Sequence, residues 1–173
     1  MRIHSFPPVI DERARVLILG TAPSVKSLEH HQFYAHPRNY LWSVVYGLFG
    51  DGQPPDPDYN KRLHFLKDHR LALWDVIESC EREGSLDMNI RNLKPNNLPG
   101  LLERYPGLRC FAFNGSKAHE TFMRHYHGNP VFDTITVLKL PSTSPIPTPA
   151  MRSLEDRIGA WRAIVPYTVD TNR

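Results

Sequence analysis

Several polar segments that could carry chemistry stand directly after apolar runs of the sequence. Gly20, Thr21 and Ala22 follow the run at residues 16–19, and Asn114 follows the run at residues 108–113. A glycine turn after a strand could hold a phosphate, but the motifs GxGxxG and GxxxxGK(S/T) are both absent. The proline at position 23 also removes a backbone N–H donor. The sequence therefore gives only weak support to nucleotide binding.

The serines and histidines form no familiar catalytic or metal-binding motif. Ser142 and Ser144 do not belong to a GxSxG motif, the turn that exposes the nucleophile of many hydrolases. The closest histidine pairs, at 30–31 and at 125 and 127, lack the i, i+4 spacing of a helical metal site, and HExxH is absent. We therefore expect neither a bound metal nor a cofactor.

Residues 34–42, YAHPRNYLW, place an aromatic side chain, a turn and an amide directly before a helical pattern of apolar residues. One interpretation is that Asn39 only caps this helix by accepting a backbone hydrogen bond. The other is that Tyr34 and Asn39 belong to a functional site. The residue types alone leave both interpretations open.

Four short apolar runs, at residues 16–19, 71–76, 108–113 and 135–140, predict buried strands. Helical patterns alternate with these runs. The last helix is predicted to begin at a capping box of Ser153 and Asp156 and to bury Leu154, Ile158, Trp161 and Val165 along one face. Such alternation is typical of an α/β fold, a parallel sheet with helices on both faces that binds ligands at the carboxyl ends of its strands.

The composition predicts one globular domain that spans residues 1–173. The chain is 40% hydrophobic and 23% charged, as soluble domains of this length are. No apolar run is long enough for a membrane span or a signal peptide, so we expect a cytoplasmic protein without membrane contact. Two cysteines, Cys80 and Cys110, are too few for a disulfide scaffold and are expected to be buried thiols.

The charge of the chain permits an anionic partner but does not require one. The 21 basic and 18 acidic residues give a formal net charge of +3. The basic residues are scattered along the sequence, so any contact with phosphates must come from a folded surface.

Four segments together resemble the uracil-DNA glycosylase superfamily, and most closely its hypoxanthine-DNA glycosylase family. They are LGTAPS at 19–24, YAHPRNYLW at 34–42, FNGS at 113–116 and STSP at 142–145. The resemblance implies a three-layer α/β/α sandwich built on a four-stranded parallel sheet. That fold agrees with the four apolar runs that the sequence contains.

The chain differs from other branches of the superfamily at two positions. Ala22 stands where other branches carry an aspartate or asparagine that positions the attacking water, and Ser142 stands where uracil-specific relatives place a histidine. We therefore do not expect a uracil enzyme of the best-known type. The resemblance implies instead that Asn39 is the catalytic residue and orients water toward the sugar.

The resemblance also implies a pocket for a base that has been flipped out of the duplex. Tyr34 is expected to stack on the base, and Asn114 to pair with O6 and N1–H of hypoxanthine. Adenine presents the reversed donor and acceptor, so the Asn114 amide must be held in one orientation. The segment of Gly20, Thr21 and Ala22 is expected to stabilise the departing base through its backbone N–H groups.

The loop after the last strand is expected to contact DNA. Ser142, Thr143 and Ser144 would bind phosphates, Ile146 would fill the gap left by the flipped base, and Ser24 is a weaker candidate. Because no lysine matches a Schiff-base motif, we expect a monofunctional glycosylase that does not cut the strand. The partner implied is DNA containing deaminated bases, bound by a monomer.

Two alternatives fit the same segments. Residues 34–42 also resemble a mismatch-specific uracil or thymine glycosylase. The second alternative is a DNA-binding module without catalytic activity, because Ala22 and Ser142 replace reactive side chains. An unrelated nucleotide-binding protein would rest on fold analogy alone.

Overall fold

The computed structural model describes residues 2–170. In chain order, the strands are β1 Arg2–His4, β2 Val16–Gly20, β3 Leu71–Asp75, β4 Ile77–Glu81, β5 Arg91–Pro95, β6 Cys110–Asn114 and β7 Thr136–Leu140. The α-helices are α1 Val25–His30, α2 Leu41–Phe49, α3 Tyr59–Asp68, α4 Leu98–Arg104, α5 Ser116–Tyr126 and α6 Leu154–Trp161. Short 3-10 helices span Asp87–Asn89, Pro130–Phe132 and Arg162–Thr168.

The four predicted strands form one parallel sheet in the order β3-β2-β6-β7. β2 and β6 lie in the middle, and their apolar side chains are buried because helices cover both faces. Since all four strands run the same way, their carboxyl ends meet at one edge of the sheet. The polar segments that follow β2, β6 and β7 therefore come together at this edge.

Five of the six α-helices in the described residues lie in two layers, one on each face of the sheet, while Leu28 of α1 packs against the second sheet described below. α2, α3 and α6 bury Val44, Leu66 and Trp161 in one core, while α4 and α5 bury Leu101 and Phe122 in the other. This arrangement confirms the predicted three-layer sandwich. The capping box at the start of α6 is also present, with Ser153 and Asp156 bonded reciprocally.

The helical stripe predicted through Val165 ends earlier than expected. α6 stops at Trp161, and Val165 lies in the 3-10 helix Arg162–Thr168. The change occurs just before Pro166, which has no N–H to donate and disfavours an α conformation at the residue before it.

A second, antiparallel sheet in the order β1-β4-β5 was not predicted from the sequence. Its middle strand, β4, follows almost directly after the carboxyl end of β3, and the sheet buries a small core of Ile3, Ile77, Cys80 and Ile90. Cys80 and Cys110 are both buried free thiols, as predicted. Within residues 2–170, no helix combines the length and the apolar character needed to cross a membrane.

Candidate functional site

A cavity of about 590 Å³ opens at the carboxyl ends of β2, β3 and β6. Every site residue predicted from the sequence lines it: Gly20, Thr21, Ala22, Ser24, Tyr34, Asn39, Asn114, Ser142, Thr143, Ser144 and Ile146. These residues come from four segments far apart in the chain. The parallel sheet is what brings the segments together, as the rule for ligand sites in such sheets predicts.

The Asn114 amide is held in one orientation by Thr143. The backbone N–H of Thr143 donates to Asn114 Oδ1 at 2.9 Å, and Asn114 Nδ2 donates to Thr143 Oγ1 at 2.9 Å and to Tyr34 Oη at 3.3 Å. Because a backbone N–H can only donate, the atom facing it must be the amide oxygen. Thr143 is only 1% exposed, which favours a role in holding Asn114 over the DNA contact expected from the sequence.

Tyr34 has a strained backbone and places its hydroxyl deep in the cavity. Its φ is 56°, a region that bulky residues rarely adopt, and neighbouring backbone N–H groups are fixed by Tyr59 Oη at 2.9 Å and Ser27 Oγ at 3.2 Å. A methyl group added to Gly20 would lie 3.0 Å from Tyr34 Oη. Burial raises the pKa of Tyr34, so its hydroxyl stays neutral and can both donate and accept.

Asn39 stands just before Tyr40, the N-cap residue of α2, and its side chain both bonds the start of the helix and lines the cavity. Its Oδ1 accepts a hydrogen bond from the Leu41 backbone N–H at 2.9 Å. In the described part of the chain, no protein group bonds its Nδ2. A structural role and a functional role of Asn39 are therefore compatible, since one end of the amide bonds the first N–H of the helix and the other is available to a water or ligand.

Arg157, on α6, organises the loop at residues 142–146. Its side chain is 1% exposed and donates to the backbone carbonyls of Ser142 at 3.4 Å, Ser144 at 3.1 Å and Ile146 at 3.3 Å. The guanidinium also lies 4.4 Å from the centre of the Tyr40 ring. Sequence reasoning missed this residue, although an arginine within the apolar face of a helix was a usable signal.

The loop itself folds back on its own side chains. Ser142 Oγ accepts from the Ser144 backbone N–H at 3.0 Å, and Tyr40 N–H donates to the Thr143 carbonyl at 2.9 Å. Ile146 stands at the tip of the loop and is 65% exposed. An apolar side chain so exposed beside the cavity fits the predicted contact with stacked bases.

Asp75 is a cavity residue that the sequence analysis missed. It is the last residue of β3, pairs in register with Gly20 and is 4% exposed. Its Oδ2 is buried without a hydrogen-bond partner among the described residues. Burial, together with the negative charge of Asp87, raises the pKa of Asp75 to about 7, although Arg82 opposes the shift. A lone acid that ends the apolar run LALWD was the available signal.

Residues in and next to the second sheet hold the Gly20 to Ser24 segment in place. Thr21 Oγ1 donates to Asp87 Oδ1 at 2.8 Å, which joins the loop after β2 to the 3-10 helix Asp87–Asn89. Arg82 is buried, and it donates to the carbonyls of Pro23 and Gly84. Ser24 caps α1 by accepting from the Ser27 N–H at 3.1 Å. The Gly20 to Ser24 segment is therefore anchored at both of its ends.

In the described part of the chain, no group of three or more histidines, cysteines or acids is placed to hold a metal ion. What the cavity offers is a fixed amide, an aromatic hydroxyl, a second amide with a free NH2 group and a carboxyl that titrates near neutral pH. These groups suit the binding of a planar, polar heterocycle. The fold and the cavity together define a three-layer α/β/α protein of the kind that accepts such a ring at the edge of its sheet.

Residues 7–164 match the model of the uracil DNA glycosylase superfamily, and the chain belongs to that superfamily. The chain is 43% identical over 117 residues to a hypoxanthine DNA glycosylase of Methanosarcina acetivorans, covering 68% of this chain and 73% of that protein. A hypoxanthine DNA glycosylase of Methanosarcina barkeri is 38% identical over 120 residues, covering 69% of this chain and 75% of that protein.

A solved structure gives the same result. The solution NMR structure of a candidate uracil DNA glycosylase from Methanosarcina acetivorans matches with a TM-score of 0.79 and 35% identity. The match covers 97% of this chain and 99% of that one. These comparisons confirm the resemblance found in the sequence and the class of enzyme that it implies, a DNA glycosylase.

Proposed function

We propose that the protein removes hypoxanthine from DNA by hydrolysing the N-glycosidic bond of deoxyinosine. The observation that carries the proposal is the Asn114 amide, which Thr143 holds in one orientation inside a cavity that also contains Tyr34. The two Methanosarcina relatives bear the name hypoxanthine DNA glycosylase. The base must be flipped out of the duplex to enter the cavity, at a cost of a few kcal/mol.

Asn114 can recognise the deaminated base without turning its amide. Its Oδ1 keeps one lone pair after bonding to Thr143 and can accept N1–H of hypoxanthine. Its Nδ2 can donate to O6 by exchanging its longest contact, the one at 3.3 Å to Tyr34. Adenine would place an acceptor and a donor in the opposite positions, so the fixed amide rejects it. Uracil presents the same pair as hypoxanthine and is not rejected by this contact alone.

Cleavage then builds positive charge on the sugar and negative charge on the base. Asn39, whose Nδ2 is available, orients a water for attack on the sugar carbon, while backbone N–H groups of the Gly20 to Ala22 segment stabilise the leaving base. The reaction ends with an intact strand that carries an abasic site. We propose that no lysine forms a covalent adduct with the sugar, and that the enzyme is therefore monofunctional and does not cut the strand.

The partner is DNA that contains deaminated bases. We propose that Ser142 and Ser144 contact phosphates around the flipped nucleotide and that Ile146 fills its place in the stack. We propose that the enzyme acts as a monomer in the cytoplasm.

Base release from labelled duplexes tests the proposal. The duplexes contain deoxyinosine, deoxyuridine or a G·T mismatch, and Asn39→Ala and Asn114→Ala are compared with the wild type. Asn60→Ala serves as the matched control, because Asn60 is an exposed amide on α3 away from the cavity. We expect release from deoxyinosine that both cavity variants reduce about 100-fold or more and the control leaves unchanged.

The same experiment separates the alternatives. Release from deoxyuridine or from G·T alone would identify a mismatch-specific uracil or thymine glycosylase. Salt-dependent binding to an abasic duplex without release of any base would identify a DNA-binding module.

A further inference from the structure

Asp75 and Asn114 stand on either side of Gly20 at the edge of the sheet. They end β3 and β6, the two neighbours of β2, and Gly20 ends β2 itself. Gly20 has no side chain to separate them, and an added methyl group would lie 2.8 Å from Asp75 Oδ1. All three residues line the cavity. The Tyr34 hydroxyl also lies beside Gly20, 3.0 Å from the same added methyl group. A flat ring at this edge of the sheet therefore meets the Asn114 amide on one side and the Asp75 carboxyl on the other, with the Tyr34 hydroxyl close to both.

The edge of hypoxanthine matches this order of groups. N1–H, O6 and N7 follow one another along the ring, and the first two are the atoms assigned to Asn114. N7 then falls on the side of Asp75. Resting on the proposed function, we propose that Asp75 is a further catalytic residue, a neutral acid that protonates N7 of the purine as the base leaves.

The step balances without any further reactant. The C1′–N9 bond breaks and its electron pair enters the imidazole ring, while the Asp75 proton passes to N7, so hypoxanthine leaves as a neutral base. Water adds to C1′, and its surplus proton goes to solvent. Solvent then returns a proton to the Asp75 carboxylate. General acids of this kind contribute about 10²- to 10⁴-fold to a rate.

The surroundings of Asp75 keep a proton on it near neutral pH. Its Oδ2 is buried with no hydrogen bond in the described residues, and the negative charge of Asp87, on the 3-10 helix Asp87–Asn89, also raises its pKa. Arg82 is the cation that opposes this effect, and its guanidinium donates to backbone carbonyls. The neutral Tyr34 hydroxyl lies beside Gly20 and accepts from Asn114 Nδ2, and its pKa is raised by burial and by the negative charge of Asp75.

Two further titratable groups line the cavity nearer its rim. Lys26 comes from α1, and His36 comes from the turn before α2. His36 Nδ1 accepts from the Arg38 backbone N–H at 3.1 Å. A pH profile of the enzyme must therefore separate Asp75 from His36.

Single-turnover release of hypoxanthine from a deoxyinosine duplex between pH 5 and 9 tests the role of Asp75. We expect the wild-type rate to fall tenfold per pH unit above about pH 7, because the acid is then ionised. Asp75→Asn is expected to be about 100-fold slower at pH 6 and to lose this alkaline limb. A variant with the wild-type rate, or with the wild-type pH profile at a lower rate, would overturn the inference.

Two other variants test the same limb without removing Asp75. Asp87→Asn keeps the acceptor for Thr21 but removes the like charge, so the limb should move to lower pH. His36→Asn should leave the limb where it is. If the alkaline limb of the pH profile stays in place in Asp87→Asn, or disappears in His36→Asn, it reports the ionisation of another group and contradicts the inference. If the wild type releases no hypoxanthine at any pH, the proposed function fails and this inference fails with it.

Discussion

Asn39 has two roles that a single alanine substitution would confuse. Its Oδ1 bonds the first N–H of α2, at Leu41, so Asn39→Ala should destabilise the protein by about 1 kcal/mol besides removing the amide from the cavity. Asn39→Ser keeps a side-chain oxygen that can accept this bond but has no amide. We expect Asn39→Ser to unfold within about 0.5 kcal/mol of the wild type and yet to be as inactive as Asn39→Ala. Denaturant unfolding and base release on the same samples make the comparison.

If Asn39→Ser kept the wild-type rate, the only role of the residue would be to support the start of α2. Loss of activity that followed stability in both variants would point to the same conclusion. Only a variant that is stable and inactive separates the chemistry of the amide from its structural role.

The buried carboxyl of Asp75 makes stability depend on pH. Its pKa is raised from 3.8 to about 7 in the folded protein, so its contribution to stability is complete below about pH 4 and is lost as the pH rises through 7. A difference of about 3 pKa units corresponds to an upper limit of about 4 kcal/mol. Asp75→Asn does not ionise. The melting temperature of Asp75→Asn minus that of the wild type should therefore increase by several degrees from pH 4 to pH 8.

The comparison depends on how the difference changes with pH and not on its value at one pH. The new amide has its own hydrogen-bonding needs, which shift all points equally. A difference between the two melting temperatures that stays constant from pH 4 to pH 8 would mean that Asp75 titrates normally in the folded protein.

The sequence was sufficient to find the residues of the cavity but not how they interact. Asn39 and Asn114 stand out because they are amides in distinctive segments, and the resemblance gave each a role. Thr143 was assigned to DNA because it lies among serines, and only the fold shows that its side chain turns inward toward Asn114. Asp75 was hidden at the end of an apolar run, where its type is visible but its lack of a partner is not.

At the level of elements, α6 holds the DNA-facing loop in place. Arg157→Met keeps most of the apolar stem but removes hydrogen bonds to three loop carbonyls. We expect the protein to lose about 2–3 kcal/mol of stability and about tenfold in affinity for a deoxyinosine duplex, because the loop must then be ordered on binding. Arg162→Met, an exposed arginine at the next turn, is the matched control.

Hydrogen exchange at residues 142–146 distinguishes this mechanism from general destabilisation. The amides of the loop should exchange faster in Arg157→Met, while those of β2 and β6 keep their protection. Equal loss of protection throughout the sheet would show that Arg157 supports the core and not the loop.

The main sheet could be predicted from the sequence, whereas the second sheet could not. Each strand of the main sheet is a buried apolar run, because helices cover both of its faces. β4 and β5 read IESCE and RNLKP, and their pairing is interrupted by register shifts. Such half-exposed, irregular strands have neither the apolar run nor the regular alternation that identifies a strand in a sequence.

Over the whole molecule, exposed apolar side chains gather around the mouth of the cavity. Seven large hydrophobic residues are exposed within residues 2–170, and three of them, Val25, Leu86 and Ile146, line the cavity. Met88 comes two residues after Leu86 and is 75% exposed. Ile146 comes from the loop after β7 and Leu86 from the connection between β4 and β5. The mouth therefore has apolar tips on two separate elements, as a surface that meets unstacked bases would.

Both tips should contribute to DNA binding by contact and not by charge. Ile146→Ala and the double variant Leu86→Ala with Met88→Ala should each weaken binding to a deoxyinosine duplex about tenfold, because each loses burial of at least one large side chain. Val131→Ala is the control, since Val131 is also exposed but does not line the cavity.

Affinities are measured over a range of salt concentrations. Because apolar contacts release no counterions, the slope of log affinity against log salt should be unchanged in every variant. A shallower slope in the Leu86 and Met88 variant would mean that its loss moves the backbone of the DNA away from the basic surface, and that this side of the mouth positions phosphates instead of touching bases.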